Sequence, residues 1–335
     1  MLKIIRLIPI IIVITGTLTA QQVYQIKMAT IAPENSSWML EMRKFEKELL
    51  EESNGRIKFK IYPNAIQGGE KDVLRKMRLG QLHAGTFTGV GLGEIVPEIR
   101  VLELPFLFRN KAEVDYVYGA MFAEFQQKFL EKGFLLTGWA EVGFIYLYTH
   151  APVLKLEDFS RVKMWLWKDD PLARAAFEVM RISAIPLDVT DVHTSLQTGL
   201  IDGVYISPYG LIALQWYTKV DHMLNYPLTN SIGAVLMNRK ELEKMPPELQ
   251  QLLITKTQIY MRQIVEQSRQ ENLESIRVLR EAGITVNDVN DPKIIRDIEA
   301  AGRKTRENLV GKLYPQEVLD RVLTLLAEYR AQNGQ

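Results

Sequence analysis

The chain has 335 residues, 47% of them hydrophobic, with 41 Lys and Arg against 40 Asp and Glu and no cysteine. A net charge of +1 leaves no electrostatic footprint for nucleic acid and no polybasic surface for an anionic membrane. Without cysteine there is no disulfide, thiol nucleophile, thiolate metal site or lipid-modified cysteine, so stability must come from apolar burial, and the length is that of two domains.

Residues 1–20 read as a secretory signal: Lys3 and Arg6 give the charged start, Leu7 to Ile14 the apolar run, and Thr15 to Ala20 a tail of small and weakly polar residues. A membrane span needs roughly 20 apolar residues, about twice this run. Cleavage after Ala20 is therefore expected, with an uncleaved anchor as the alternative, although Leu18 is bulkier than a cleavage site prefers. Val23 to Ala29 alternates as a strand, the loop from Thr30 to Ser37 leads into a helix through Glu52, and Arg56 to Tyr62 alternates Ile57, Phe59 and Ile61 with basic residues as a half-buried strand. Thr88 to Gly93, TGVGLG, reads as a flexible loop. Its glycines lack the G-x-G-x-x-G spacing and the later acidic residue of a dinucleotide site. Val101 to Phe108 is an apolar run broken by Pro105.

Residues 135–149 read as a buried strand pair between halves of the molecule, and Val162 to Trp167 as a strand with Trp165 and Trp167 on one face. Two tryptophans there need a cover, either ordinary core or a ligand. Asp169 and Asp170 read as a solvated turn before Pro171. The segment from Ile185 to Pro208 repeats an earlier pattern: Asp191, Leu196, Gly199, Ile201 and Gly203 stand 119 residues after Asp72, Met77, Gly80, Leu82 and Ala84. A helix, a glycine and a strand thus occur twice, which predicts two similar α/β lobes with parallel strands, each sending a strand end to a shared cleft. Pro246 to Ala282 is the longest helical pattern, on the order of 50 Å, long enough to brace both lobes. A short strand and two helices complete the chain to Leu326, and Ala331 to Gln335 read as a frayed end.

Several stretches, in order, resemble the DctP-like substrate-binding proteins of TRAP transporters: NGRIKFKIYPNAIQGGE (54–70), LRKMRLGQLHAG (74–85), PEIRVLELPFLF (97–108), LEDF (156–159), TSLQTGLIDG (194–203) and LMNRKELEKMPPELQQLL (236–253). The resemblance implies an α/β, two-lobed periplasmic-binding-protein-like fold with a long bridging helix, closing on one solute and delivering it to membrane permease subunits. It implies lobe I over about 22–143 plus 231–270 and lobe II over about 144–230 plus 271–335. It also implies a periplasmic location and no cofactor.

The chain departs from the family where an arginine usually pairs the substrate carboxylate: that position holds Trp165, and a second family arginine position holds Ile145. A desolvated carboxylate needs a bidentate partner. The expectation is therefore a neutral or hydrophobic solute held by Trp165, Trp139, Ile145, Tyr205, Ile206 and Ser207, with Thr88 and Val189 at other family contact positions. A subclass working with a tetratricopeptide-repeat partner shows the same loss. The alternative is a carboxylate receptor using Arg161, Lys163 or Lys168. A periplasmic carrier or sensor without transport needs only the same closing cleft. His83, His150, His193 and His222 have no metal-ligand spacing, and no nucleophile elbow or opposed acid/base pair supports an enzyme.

Overall fold

Alternating apolar residues make the first strands, and the computed structural model, which describes residues 21–334, pairs them as that pattern requires. The expected signal over residues 1–20 lies outside the described residues. The first stretch runs β1 (Tyr24–Ala29), α1 (Ser37–Glu52), β2 (Ile57–Tyr62), α2 (Glu70–Arg78), β3 (Ala84–Thr88), α3 (Gly89–Gly93), a 3-10 segment at Pro97–Glu103, α4 (Lys111–Glu131) and β4 (Phe134–Thr149). Next come β5 (Lys163–Trp167), α5 (Pro171–Met180), β6 (Ser183–Leu187), α6 (Val192–Gln197), β7 (Gly203–Ile206), α7 (Pro208–Ala213) and β8 (His222–Asn238). The chain ends with α8 (Arg239–Leu242), α9 (Pro247–Glu281), β9 (Thr285–Asp288), α10 (Pro292–Leu309) and α11 (Gln316–Gln332).

The strand order is β2-β1-β3-β8-β4-β7-β5-β6, with β9 also on β8. At one end β1 pairs in parallel with β2 and β3, and at the other β5 pairs in parallel with β6 and β7. Between these parallel sets lie β4 and β8, antiparallel to each other from Phe134 opposite Asn238 to Thr149 opposite His222. The sheets are therefore mixed rather than wholly parallel. The expected strand pair over 135–149 is one strand, β4. Gly138 and Gly143 resemble turns in sequence, but they sit where the pairing register shifts and the strand bends on without reversing. Its partner β8 was not expected at all, because Pro227, Asn230 and Ser231 interrupt its alternation.

The core falls into several clusters. Leu249, Leu253, Met261 and Ile264 of α9 pack with α1, β1 and β2, while Leu279 near its far end packs with residues of α6, α7 and β7. The long helix thus spans both lobes, as its length requires. The duplicated module is present in backbone detail. Gly80 and Gly199, both at left-handed φ (+71° and +69°), end α2 and α6. The amides of Gln81 and Leu200 then donate to the carbonyls of Lys76 and Ser195, at 2.9 and 3.0 Å.

The last helix packs beside α4, an element of the expected lobe I. The expected lobe II takes in residues 271–335, and α10 packs on α5. In α11, however, Leu319, Val322 and Leu326 bury against α4 and the Val101–Leu104 stretch of lobe I. Arg330 holds it there, donating to both carboxylate oxygens of Glu113 (2.7 and 2.9 Å) and to the carbonyl of Leu107 (3.0 Å). Burial opposes ionisation of Glu113, yet Arg330 and the Arg109 amide hold its pKa below the usual carboxylate value. Arg330→Ala should therefore destabilise the protein by about 3 kcal/mol, because a fully buried carboxylate loses its partner. Urea unfolding measures this, and the Glu113→Gln/Arg330→Ala double variant should recover part of the loss.

Candidate functional site

The two copies of the module aim at the same place. The 119-residue offset that relates them carries Thr88 onto Ser207, and each is the residue immediately before a short helix, α3 or α7. Both residues line a cavity of about 480 Å³ between the lobes. That volume lies in the ~300–1,000 Å³ range of small-molecule sites.

Lobe II supplies an aromatic wall. Trp165 stacks on Tyr205 (centroids 5.1 Å, planes 26° apart), lies 5.5 Å from Trp167 and meets Trp216 edge-on at 5.3 Å. Its indole N–H donates to the carbonyl of Leu187 at 3.0 Å. Trp165 borders the cavity but is only 1% exposed, so it backs the wall. The half-buried Trp167 and Tyr205 line the cavity, as do Trp38 and Tyr209. Aliphatic cover comes from Ile145, Val189 and Ile206.

A buried ionic cluster forms the floor. Arg100, from the 3-10 segment of lobe I, gives two hydrogen bonds to Asp170 of lobe II, Nη1 to Oδ1 at 2.9 Å and Nη2 to Oδ2 at 3.1 Å. Its Nε donates to Glu103 at 2.7 Å. Burial works against the guanidinium charge, but Asp170 and Glu103 outweigh it and raise the pKa. Glu103 also accepts from the Ser231 hydroxyl and the Ile232 amide, both at 2.9 Å. Asp170 is therefore not part of a solvated turn. It caps α5, accepting from the amides of Leu172 and Ala173, and is 3% exposed. Asp169 is the solvated member of the pair, bonded to Lys71 at 3.0 Å.

The TGVGLG run is a helical turn packed over carboxylates, not a flexible loop. A Cβ on Gly89 would lie 1.8 Å from Glu103 Oε2, and one on Gly91 would lie 2.4 Å from Glu70 Oε2. Glycine is required there for close approach, and no phosphate need be invoked. Glu70 accepts from the Thr88 amide (2.7 Å), the Thr88 hydroxyl (3.0 Å) and the Gly91 amide (2.8 Å). Burial nonetheless pushes its carboxyl up to about 7.

Of the sequence-predicted site residues, Trp165, Ile145, Tyr205, Ile206, Ser207, Thr88 and Val189 come together at the cavity. Trp139 does not line it. Its ring packs against Tyr118, Phe122 and Phe125 inside lobe I and its N–H donates to the Tyr118 carbonyl. The alternative cations also lie elsewhere: Lys163 bonds the Gly199 carbonyl, Lys168 bonds Asp188 and Arg161 is exposed. Among the described residues, Arg100 is the only basic one that lines the cavity, against Glu103, Glu141, Asp170 and Glu271. It was missed, although Arg100 and Glu103 three apart in an apolar run were a visible sign of a buried pair.

Residues 28–309 match the profile of Bacterial extracellular solute-binding protein, family 7 (DctP). The chain belongs to this family. A DctP-family protein is a solute-binding receptor and not an enzyme. A solute-binding protein of Verminephrobacter eiseniae is 29% identical over 277 residues, covering 82% of this chain and 81% of the relative. The 2,3-diketo-L-gulonate-binding periplasmic protein YiaO of Escherichia coli K12 is 25% identical over 311 residues, 88% of this chain and 89% of its own. The crystal structure of DctP7, a Bordetella pertussis extracytoplasmic solute receptor binding pyroglutamic acid, superimposes with a TM-score of 0.84 at 18% identity, over 91% of this chain and all of that one.

The buried Glu70 makes stability pH-dependent beside the site. Its ordinary pKa is 4.5 and its folded value about 7, so between these the folded protein holds a proton that the unfolded chain has released. Its contribution is fully present below about pH 4.5 and is lost as pH rises to about 7, roughly 3 kcal/mol in all. Urea unfolding from pH 5 to 8 should show the wild type losing stability relative to Glu70→Gln, and a pH-independent difference would refute this.

Proposed function

We propose that the protein is the extracytoplasmic receptor of a TRAP-type transporter and that its solute is neutral and largely apolar. The observation that carries the reading is the state of Arg100. Arg100, the one guanidinium at the cavity among the described residues, already has its fork and its Nε bonded to carboxylates, while the two expected arginine positions hold Trp165 and Ile145. A desolvated ligand carboxylate would meet no free cation and four acidic side chains. The acids named for the Escherichia coli and Bordetella pertussis proteins therefore fit this cavity poorly. An apolar solute would gain roughly 25 cal/mol per Å² buried against Trp167, Tyr205, Trp38 and Ile206. The reading places the receptor in the periplasm, with TRAP permease subunits and a tetratricopeptide-repeat protein as its partners.

Native mass spectrometry of gently purified protein tests this. The expected result is a retained apolar molecule whose affinity falls about tenfold in Trp167→Ala, from the lost aromatic surface. Recovery of a sugar acid or pyroglutamate whose binding is lost in Arg100→Gln would overturn it.

A further inference from the structure

We infer that Asp170 is a specificity-determining residue, a built-in counter-carboxylate that occupies the bidentate face of Arg100 and so closes this receptor to carboxylate solutes. The inference rests on the apolar-solute reading and gives it a residue-level cause. The paired oxygens of Asp170 meet Nη1 and Nη2 at 2.9 and 3.1 Å, the fork-to-fork arrangement that a bound carboxylate would otherwise form. Both side chains are nearly fully buried, 4% and 5% exposed, and both border the cavity.

Asp170 needs no rearrangement to hold this position. Its Oδ1 also takes the amides of Leu172 and Ala173 at the start of α5, and Lys71 of lobe I holds the preceding residue, Asp169. Carried on the same chain, the Asp170 carboxylate competes at a high effective concentration against any free anion. The Nε donor is committed in the same way, to Glu103, which Ser231 and Ile232 fix in turn. An entering carboxylate would have to displace Asp170 and leave it buried without its cation. Exclusion built from an unfavourable outcome for the wrong ligand is how binding sites gain discrimination. Because Arg100 belongs to lobe I and Asp170 to lobe II, the same bond also closes the cleft floor with no contribution from a solute.

Asp170→Ser tests this, since serine can still cap α5 but withdraws the carboxylate from the fork. The probes are formate and acetate, measured by calorimetry on the full mature chain. The variant should bind them at least about tenfold more tightly than the wild type, and Arg100→Gln/Asp170→Ser should lose that gain. A folded Asp170→Ser protein with no gain overturns the inference, as does a wild type that binds these anions equally well through Arg100. Should Asp170→Ser fold poorly, formate should raise its melting temperature above that in chloride at equal ionic strength, and not that of the double variant. Absence of this rescue also counts against the proposal. A retained apolar solute with no carboxylate gain in Asp170→Ser would sink this inference alone, whereas a sugar acid bound through wild-type Arg100 would sink both readings.

Discussion

The contact on which the site depends is the buried bond between Arg100 and Asp170. It joins lobe I to lobe II at the floor of the cavity, and each partner is held by a separate part of the fold. Arg100 is steadied by Glu103, Glu103 by β8 through Ser231 and Ile232, and Asp170 by the first amides of α5. The glycines of α3 let its backbone lie against Glu103. Charges this deep cost several kcal/mol each to desolvate, so such a pair contributes little net stability. What it provides is a definite arrangement: a cation that is neutralised and a cleft floor that is already satisfied.

That arrangement separates fold from ligand. The backbone of this chain follows that of the DctP family closely enough to superimpose on a pyroglutamic acid receptor at a TM-score of 0.84. Chemistry at the cavity depends instead on side chains: an indole stack at Trp165, an aliphatic Ile145 and a guanidinium turned toward its own carboxylates. A shared fold does not by itself fix the solute.

Much of the architecture was legible because it rests on periodicity. The alternation from Ile57 to Ile61, the long apolar stripe of α9 and the module repeated at an interval of 119 residues all report local geometry directly. What was not legible depends on contacts distant in sequence. Asp170 looks solvated beside Asp169 until Arg100, 70 residues earlier, is brought to it. Trp139 looks like a site residue until α4 covers it, and Thr88 to Gly93 looks loose until Glu70 and Glu103 are packed against it. The polar residues of β8 hid a strand whose register is set by β3 and β4, not by its own alternation.

The docking of α11 has a consequence for the order of events in folding. The apolar face of α4 and the Val101–Leu104 stretch are covered by Leu319, Val322 and Leu326, so this interior is closed by contacts between segments far apart in sequence. Such distant pairing is intrinsically slow. The interior of lobe I should therefore consolidate late, once α11 has docked.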